Sequence, residues 1–372
     1  MSQRDIMKIS QIIYTGFGGL GSVAFSLVEA DRSRDHKWSI GFIGDVPLDE
    51  DYPPKCRETG ADFAAFQSKS GRPYAAWFQL WRWLHRTKPD AVLLHSINSI
   101  LPTFAYCLLN GRCLIAVEHT PNAVKTRNER VFSKLAMRLA HKVVLLTPEY
   151  EPELKEIQGS AFNKDKVSII ANGIDTHRFR PRSEQGTDRS QALRLGMAAR
   201  FSYTKRQDLL VEMMALAKQT KGSDNWVLSL AGNGDEFERV RRLAVSLGVA
   251  DRIEFVGLLN ENELADWFRT IDVYLHASDG ETLSTSLLQA MASGLPIVAS
   301  GIPGISNLLE QNDHTIGLLA NNDPQHFFEV IVNLVASDRR RVELAGLARE
   351  ICLERYSNQV MLERYVAAIH AT

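Results

Sequence analysis

The stretch "SDGETLSTSLLQAMASGLP", residues 278–296, sets two long polar side chains around an otherwise apolar segment. Glu281 sits in a short polar loop, and eight residues on Gln289 interrupts the run Leu287, Leu288, Ala290, Met291 and Ala292. A carboxylate just ahead of a helix is favoured by the helix's positive end, so Glu281 could be purely structural. Gln289 is harder to explain that way. An amide among such neighbours has two donors and two acceptors to satisfy, and a polar ligand or a second helix must supply the partners. A second candidate is "AARFSYTKRQDLL", residues 198–210, where Arg200, Lys205 and Arg206 follow a short apolar run. A guanidinium can fork onto phosphate oxygens and an ammonium adds a compact charge, although a solvated basic loop is the plainer alternative. A third is "TGFGGLGS", residues 15–22, in which Gly16, Gly18 and Gly21 spell G-x-G-x-x-G. Glycines there let a backbone approach an anion at a helix start. A dinucleotide site fits this spacing, with Asp45 a loose ribose ligand, and so does a tight turn that merely needs glycine.

Such groups need elements to position them. Short apolar, β-rich runs recur at 8–14, 37–43, 90–96, 112–119, 142–147 and 166–171, each followed by a turn signal or a helix-length segment. The alternation restarts at 194–199, 226–232, 252–257, 273–278 and 296–300. Strands alternating with helices predict parallel sheets, because only a crossover returns the chain in the same direction. Between the two series, "THRFRPRSEQGTDRSQ" is polar, carries Pro181 and Gly186 and has no apolar period, which predicts a linker. The expected organisation is a first βα domain over 1–175, a linker over 176–192, a second βα domain over 193–354 and a closing amphipathic helix over 355–372. Ligands of open α/β sheets bind beyond the carboxyl ends of the strands, so two such domains would bracket a cleft. Ser284 is predicted to cap a helix running to Ser293, with Gly294 as its stop.

Bulk properties narrow the class. At 372 residues the chain is long enough for two domains, and 43 basic against 44 acidic side chains leave a formal net charge of -1. That balance argues against a nucleic-acid binder built on global positive charge. Four scattered cysteines without a CxxC pair argue against zinc or a disulfide framework. The N-terminus lacks a signal-peptide pattern and no window is long and apolar enough to span a bilayer, so a cytoplasmic protein is expected. Residues 125–142 interleave Lys125, Arg127, Arg130, Lys134 and Arg138 with Val131, Leu135 and Leu139. Such a helix could lie on the anionic face of an inner membrane, or pack as an ordinary solvated helix on a sheet.

Four segments in order, "ANGIDTHRFRP", "ARFSYTKRQDLL", "LAGNGDEFERVRRLAVSLGVADRIEFVGLL" and "SDGETLSTSLLQAMASGLPIVAS", resemble the family-four retaining glycosyltransferases of the two-Rossmann B fold. The likeness runs over nearly the whole chain and is strongest from 168 to 320. It implies two Rossmann-like domains facing each other across a cleft, with the C-terminal helix packing back on the first. It also implies a UDP- or GDP-sugar donor held mainly by the second domain, a glycan or lipid-linked acceptor on the first, and no cofactor or metal. The family's paired glutamates fall on Glu281 and Gln289. The second is a departure, since a glutamine can still accept from ribose hydroxyls but without the strength of a charge. Two further departures are Thr282 and Ser284, where the family usually has glycines. By the same resemblance Glu281 would meet hydroxyls of the transferred sugar, while backbone N–H groups of Leu283, Ser284 and Thr285 would meet its phosphates or ring. Arg200 and Lys205 match the diphosphate-binding pair, Gly18 and Gly19 the glycine loop, and His119 a histidine near the donor sugar, with Glu118 beside it as the alternative ligand. Gly257 and Leu258 would line the base. A non-catalytic sugar-nucleotide-binding partner, an NAD-dependent oxidoreductase and, as a minor possibility, a UDP-sugar epimerase compete with this assignment.

Overall fold

A computed structural model describes residues 6–16, 19–68, 73–119, 125–182, 192–223, 225–281, 283–311 and 314–372. The chain forms two compact units, Met1–Gly173 with Asn358–Thr372, and Ile174–Ser357. In the first, strands β1 (Met7–Ile13), β2 (His36–Gly44), β3 (Asp62–Gln67), β4 (Ala91–Leu94), β5 (Cys113–Glu118), β6 (Lys142–Leu145) and β7 (Val167–Ile169) alternate with helices α1 (Gly19–Ala30), α2 (Tyr52–Thr59), α3 (Tyr74–Thr87), α4 (Ile100–Asn110), α5 (Arg127–Leu139) and α6 (Tyr150–Gln158). The strands form one sheet in the order β3-β2-β1-β4-β5-β6-β7, parallel throughout.

Both faces of this sheet are covered, as parallel sheets require. Ile9, Ile13, Phe42, Ala91 and Leu93 turn to one cluster with α1, while Ile12, Ile43, Val92 and Leu94 turn to another with α3 and α4. The period of two in the strands feeds two cores at once. The first cluster is completed by the last helix of the chain, which contributes Met361, Leu362, Tyr365 and Ile369 and packs on α1.

The second unit repeats the plan. Strands β8 (Arg194–Ala198), β9 (Val227–Ala231), β10 (Ile253–Gly257), β11 (Val273–His276) and β12 (Ile297–Ser300) alternate with α7 (Gln207–Gln219), α8 (Phe237–Ser246), α9 (Glu261–Phe268) and α10 (Thr285–Ala292). Helix α11 (Pro303–Leu309), a small ladder of β13 (Glu310–Gln311) and β14 (His314–Thr315), strand β15 (Leu318–Ala320) and helices α12 (Pro324–Val335), α13 (Asp338–Arg355) and α14 (Asn358–His370) follow, the last belonging to the first unit. The sheet order is β10-β9-β8-β11-β12-β15, again parallel. In both sheets the order reverses beside the first strand, between β1 and β4 and between β8 and β11. At such a reversal the flanking crossovers diverge and leave a crevice at the strands' carboxyl ends.

Several details differ from the sequence expectation. Strand β3 was not expected, because its apolar run Phe63–Phe66 is short and only Phe66 of this edge strand is buried; β15 is too short to register. Within the stretch expected as a linker, 176–182 packs on the second unit: Phe179 is buried among Trp267, Phe268 and Leu288, and Arg182 pairs with Asp272 at 3.0 Å. Residues 183–191 lie outside the described residues. Lys125 was expected on the exposed basic face of residues 125–142 but is buried, its Nζ 2.5 Å from Glu118 Oε2. Both side chains are 2% exposed, and Ser133 Oγ donates to the other carboxylate oxygen. This also removes Glu118 as an alternative ligand to His119, since both its oxygens are engaged inside the core. Lys125→Met should cost roughly 3–5 kcal/mol of unfolding free energy, because it strands a buried carboxylate. Adding Glu118→Gln should recover most of it. Urea titrations of the single and double variants check this, and a single-variant loss no larger than that of an exposed pair, below about 1 kcal/mol, would contradict the assignment.

Candidate functional site

At the carboxyl edge of the second sheet a cavity of about 700 Å³ opens between the segments that follow β8, β9 and β10 and the start of α10. Its walls include Arg200, Asn233, Asp235, Leu258, Ser286 and Gln289. The three segments are held together by main-chain bonds. Ala199 N donates to Ala231 O at 3.0 Å, Phe201 N to Asn233 O at 3.0 Å, and Gly232 N to Gly257 O at 2.7 Å. Gly232 and Gly234 make that approach possible: at φ +133° and +155°, a β-carbon on either would strike the carbonyl of Ala199 or Phe201.

Helix α10 starts as the sequence predicts. Ser284 is the N-cap, its Oγ accepting from Leu287 N–H at 3.4 Å, and Gly294 follows the helix at φ +64°. By helix geometry the first N–H groups, those of Thr285 and Ser286, have no intrahelical acceptor. Gln289 stands one turn in, and its side-chain amide takes no hydrogen bond among the described residues. The polar partners that this glutamine calls for are therefore not supplied by a neighbouring helix. Arg200 is 72% exposed, with only a 3.7 Å contact to Asp235, so its guanidinium is available to an anion. Leu258 is 81% exposed against the cavity and Gly257 ends β10 at φ +82°. Leu283 is half-buried against the core beneath α10, and Thr285 is exposed. Thr282 and Gly18 lie outside the described residues.

Lys205 and Glu281 meet directly. The segment carrying Lys205 is pinned to the end of β11 by a bridge to Ser278 and by Arg206 N–H donating to Ala277 O at 3.1 Å. Lys205 Nζ and His276 Nε2 both bond Glu281 Oε1, the histidine at 2.6 Å. Burial pushes the Glu281 carboxyl up, but the hydrogen bond from His276 and the charge of Lys205 outweigh it and hold the group below its ordinary value. Burial lowers His276 despite that carboxylate, so its ring is neutral and donates through Nε2. Oε2 of Glu281 has no partner among the described residues, which leaves an ionised oxygen to accept from a hydroxyl. Arg206, by contrast, is committed to Asp208 at 3.1 Å and Asp279 at 3.4 Å.

In the first unit, Gly19 opens α1. Gly21 lies inside that helix, where a β-carbon would collide with the Tyr52 ring, so tight packing explains that glycine of the G-x-G-x-x-G run without a cofactor. Asp45 accepts from Tyr14 OH at 2.8 Å and is engaged there. His119 follows β5, half-buried, with Nε2 2.8 Å from Nδ1 of the buried His95. Burial lowers His119 to about 4, and burial with the charge of His119 holds His95 well below the ordinary histidine value. His95, His276 and Gln11 were not singled out from sequence. The available signal was a histidine closing each of two apolar strands, "AVLLH" and "VYLH", and a glutamine inside "KISQIIY". No group of three His, Cys, Asp or Glu side chains among the described residues could hold a metal ion, and no described helix is long and apolar enough to cross a membrane.

Two parallel sheets covered on both faces, with polar groups gathered at the reversals of strand order, define a protein built of two Rossmann-like units. Residues 17–178 match the model described as "Glycosyltransferase Family 4" and residues 192–337 the model "Glycosyl transferases group 1". The chain belongs to the family-four glycosyltransferases. It is 26% identical over 284 residues to the D-inositol 3-phosphate glycosyltransferase of Thermomonospora curvata, covering 71% of this chain and 62% of that one. It is 30% identical to the lipopolysaccharide core biosynthesis mannosyltransferase LpsB of Rhizobium meliloti, over 49% of this chain and 55% of that one. The chain thus spans less than two thirds of the length of these relatives. Among solved structures, HepE of Anabaena in complex with UDP superposes with a TM-score of 0.80 at 18% identity, over 98% of this chain and all of that one, a likeness of fold.

The neutral histidines give the stability a pH dependence of definite sign. Between about 4, where native His119 takes its proton, and the ordinary value near 6.5, the unfolded chain binds protons that the native chain does not. Stability therefore rises with pH across that window and falls on acidification. Urea midpoints should drop steadily from pH 7 to pH 4.5, with a shallower slope in His119→Asn. Equal slopes in the two proteins would contradict a neutral His119.

Proposed function

We propose that the chain is a retaining glycosyltransferase that moves a sugar from a UDP- or GDP-sugar to a glycan or lipid-linked hydroxyl. The observation that carries this reading is a set of groups in the second unit: an exposed guanidinium at Arg200, and an amide at Gln289 and an ionised oxygen on Glu281 that have no partner among the described residues. Those chemistries suit a diphosphate, ribose hydroxyls and sugar hydroxyls respectively. In this reading the bond between the anomeric carbon and the donor phosphate breaks as the acceptor oxygen bonds to the same face of that carbon. The acceptor's proton passes to the departing phosphate oxygen. Arg200 and Lys205 offset the charge that builds on the leaving diphosphate, with N–H groups at the start of α10 beside them. Glu281, already an anion, holds sugar hydroxyls and carries no proton of its own. Gln289 accepts from ribose hydroxyls through its carbonyl oxygen. The relatives named as glycosyltransferases and the UDP in the Anabaena structure support this choice of donor class.

A surface in the first unit supports contact with a membrane, where lipid-linked acceptors reside. Neighbouring helices α3, α4 and α5 expose Tyr74, Phe78, Leu101, Leu108, Leu109 and Val131. The same helices carry six arginines and lysines, and their only acidic residue, Glu129, is spent in the capping box of α5. On a chain of net charge -1 this is a strong segregation, and apolar side chains amid basic ones suit an anionic lipid surface. The protein should sediment with phosphatidylglycerol-containing vesicles in a salt-sensitive way and not with phosphatidylcholine alone. Arg130→Glu with Lys134→Glu should abolish this, and unchanged sedimentation would refute the lipid face.

The donor is tested by binding and turnover. UDP or GDP should raise the melting temperature where NAD does not. Arg200→Ala should lower turnover by ~10²–10³ without changing the melting temperature of the free protein. Gln289→Glu should keep or raise donor affinity, and loss of binding would disprove the ribose role. Binding of a nucleotide sugar without release of nucleotide from any UDP- or GDP-sugar would favour a non-catalytic binding partner instead.

A further inference from the structure

A buried glutamine in the first unit fixes the state of His119 through a chain of hydrogen bonds. Gln11 lies in β1 between Ser10 and Ile12, two positions from Ile9 and Ile13, and is fully buried, where an unpaired amide would be costly. Its Nε2 donates to Ala24 O in α1 at 2.8 Å. A carbonyl oxygen can only accept, so this contact decides which end of the amide faces the other way. Gln11 Oε1 then stands 3.1 Å from His95 Nε2 and, being an acceptor only, requires the hydrogen there. With one hydrogen on a neutral ring, His95 Nδ1 must accept, so the 2.8 Å contact to His119 is donated by His119 Nε2. That leaves Nδ1 of His119 bare, and it has no partner among the described residues. Sheet order makes the sequence of contacts possible: β1, β4 and β5 are consecutive neighbours, and the three side chains step across them toward the carboxyl edge.

Only a cationic His95 would reverse the direction, by donating from both nitrogens and forcing the hydrogen of His119 onto Nδ1. Burial opposes that cation. Glu118, next in sequence to His119, is engaged by Lys125 and Ser133.

We propose that Gln11 and His95 are positioning residues that hold His119 as the neutral Nε2–H tautomer, so that its bare Nδ1 accepts a hydrogen bond from a substrate hydroxyl instead of serving as a cation for phosphate. The choice of a hydroxyl rests on the glycosyl-transfer reading above; the tautomer does not. This assigns His119 to sugar or acceptor recognition and gives a reason for a polar side chain in the middle of an apolar strand.

The test is long-range proton–nitrogen NMR of the full chain labelled at histidine nitrogen, with His119 assigned by the loss of its signals in His119→Asn. The wild type should show the Nε2–H tautomer and no titration of His119 from pH 8 down to pH 5. An Nδ1–H tautomer, an even mixture, or titration near the ordinary histidine value would overturn the proposal without any variant. Gln11→Met removes the acceptor that fixes the hydrogen on His95 Nε2, so the His119 tautomer should become mixed. A pure Nε2–H tautomer of His119 in a folded Gln11→Met protein would show that Gln11 does not position it. In a final arm, UDP-glucose, GDP-mannose and free UDP are added in turn. A sugar nucleotide should move the His119 Nδ1 resonance while UDP does not. A shift with free UDP would overturn the hydroxyl role and leave the tautomer standing. Failure of every nucleotide to bind would count against the glycosyl-transfer reading alone.

Discussion

A parallel sheet with helices on both faces has no solvent-facing side on which to place polar chemistry. Both sheets of this protein are of that kind, and their strands read as near-continuous buried runs, such as the four consecutive buried residues of β4 and of β11. Polar groups can escape burial only beyond the strand ends. There the reversal of strand order beside β1 and β8 spreads the connecting segments apart. Arg200, Lys205 and Glu281 gather at one such edge and His119 at the other because the layer architecture leaves them nowhere else to act.

The two edges share a device. In each sheet the strand next to the first, β4 or β11, closes in a buried neutral histidine that passes a fixed hydrogen-bond direction to a group nearer the surface. His95 is oriented by Gln11 and acts on His119; His276, beside Tyr274, acts on Glu281. Burial keeps both rings uncharged, so each can donate on one nitrogen and accept on the other. The product in either case is an acceptor with a free lone pair, an imidazole nitrogen in one unit and a carboxylate oxygen in the other. Hydroxyl-rich ligands need acceptors of this sort.

The departures around α10 fit the same logic. Ser284 spends its hydroxyl on the helix N-terminus, which holds the first turn in place where glycine would leave it loose. Gln289 keeps an acceptor oxygen where the family has a carboxylate, and it lines the cavity with Arg200 and Ser286.

Much of this was legible in the chain itself. The alternation of short apolar runs with helical segments identified eleven strands and two βα series. Ser284 and Gly294 marked the limits of α10, and the isolation of Gln289 among leucines and alanines signalled a polar partner. These are local properties: periodicity, capping and the cost of an unpaired amide act over a few residues. Other features required the tertiary structure. Lys125 reads as one more cation on a basic helix until the sheet places Glu118 beneath it. The half-exposed edge strand β3 becomes a strand by pairing with β2. The states of His119 and Glu281 depend on partners up to 108 and 76 positions away in the chain, Gln11 and Lys205, which no local pattern connects. Sequence determined which elements form, because their hydrophobic patterns are written in neighbouring residues; the tertiary fold decided which polar atoms remain free, because burial and long-range contact set protonation and hydrogen-bond direction.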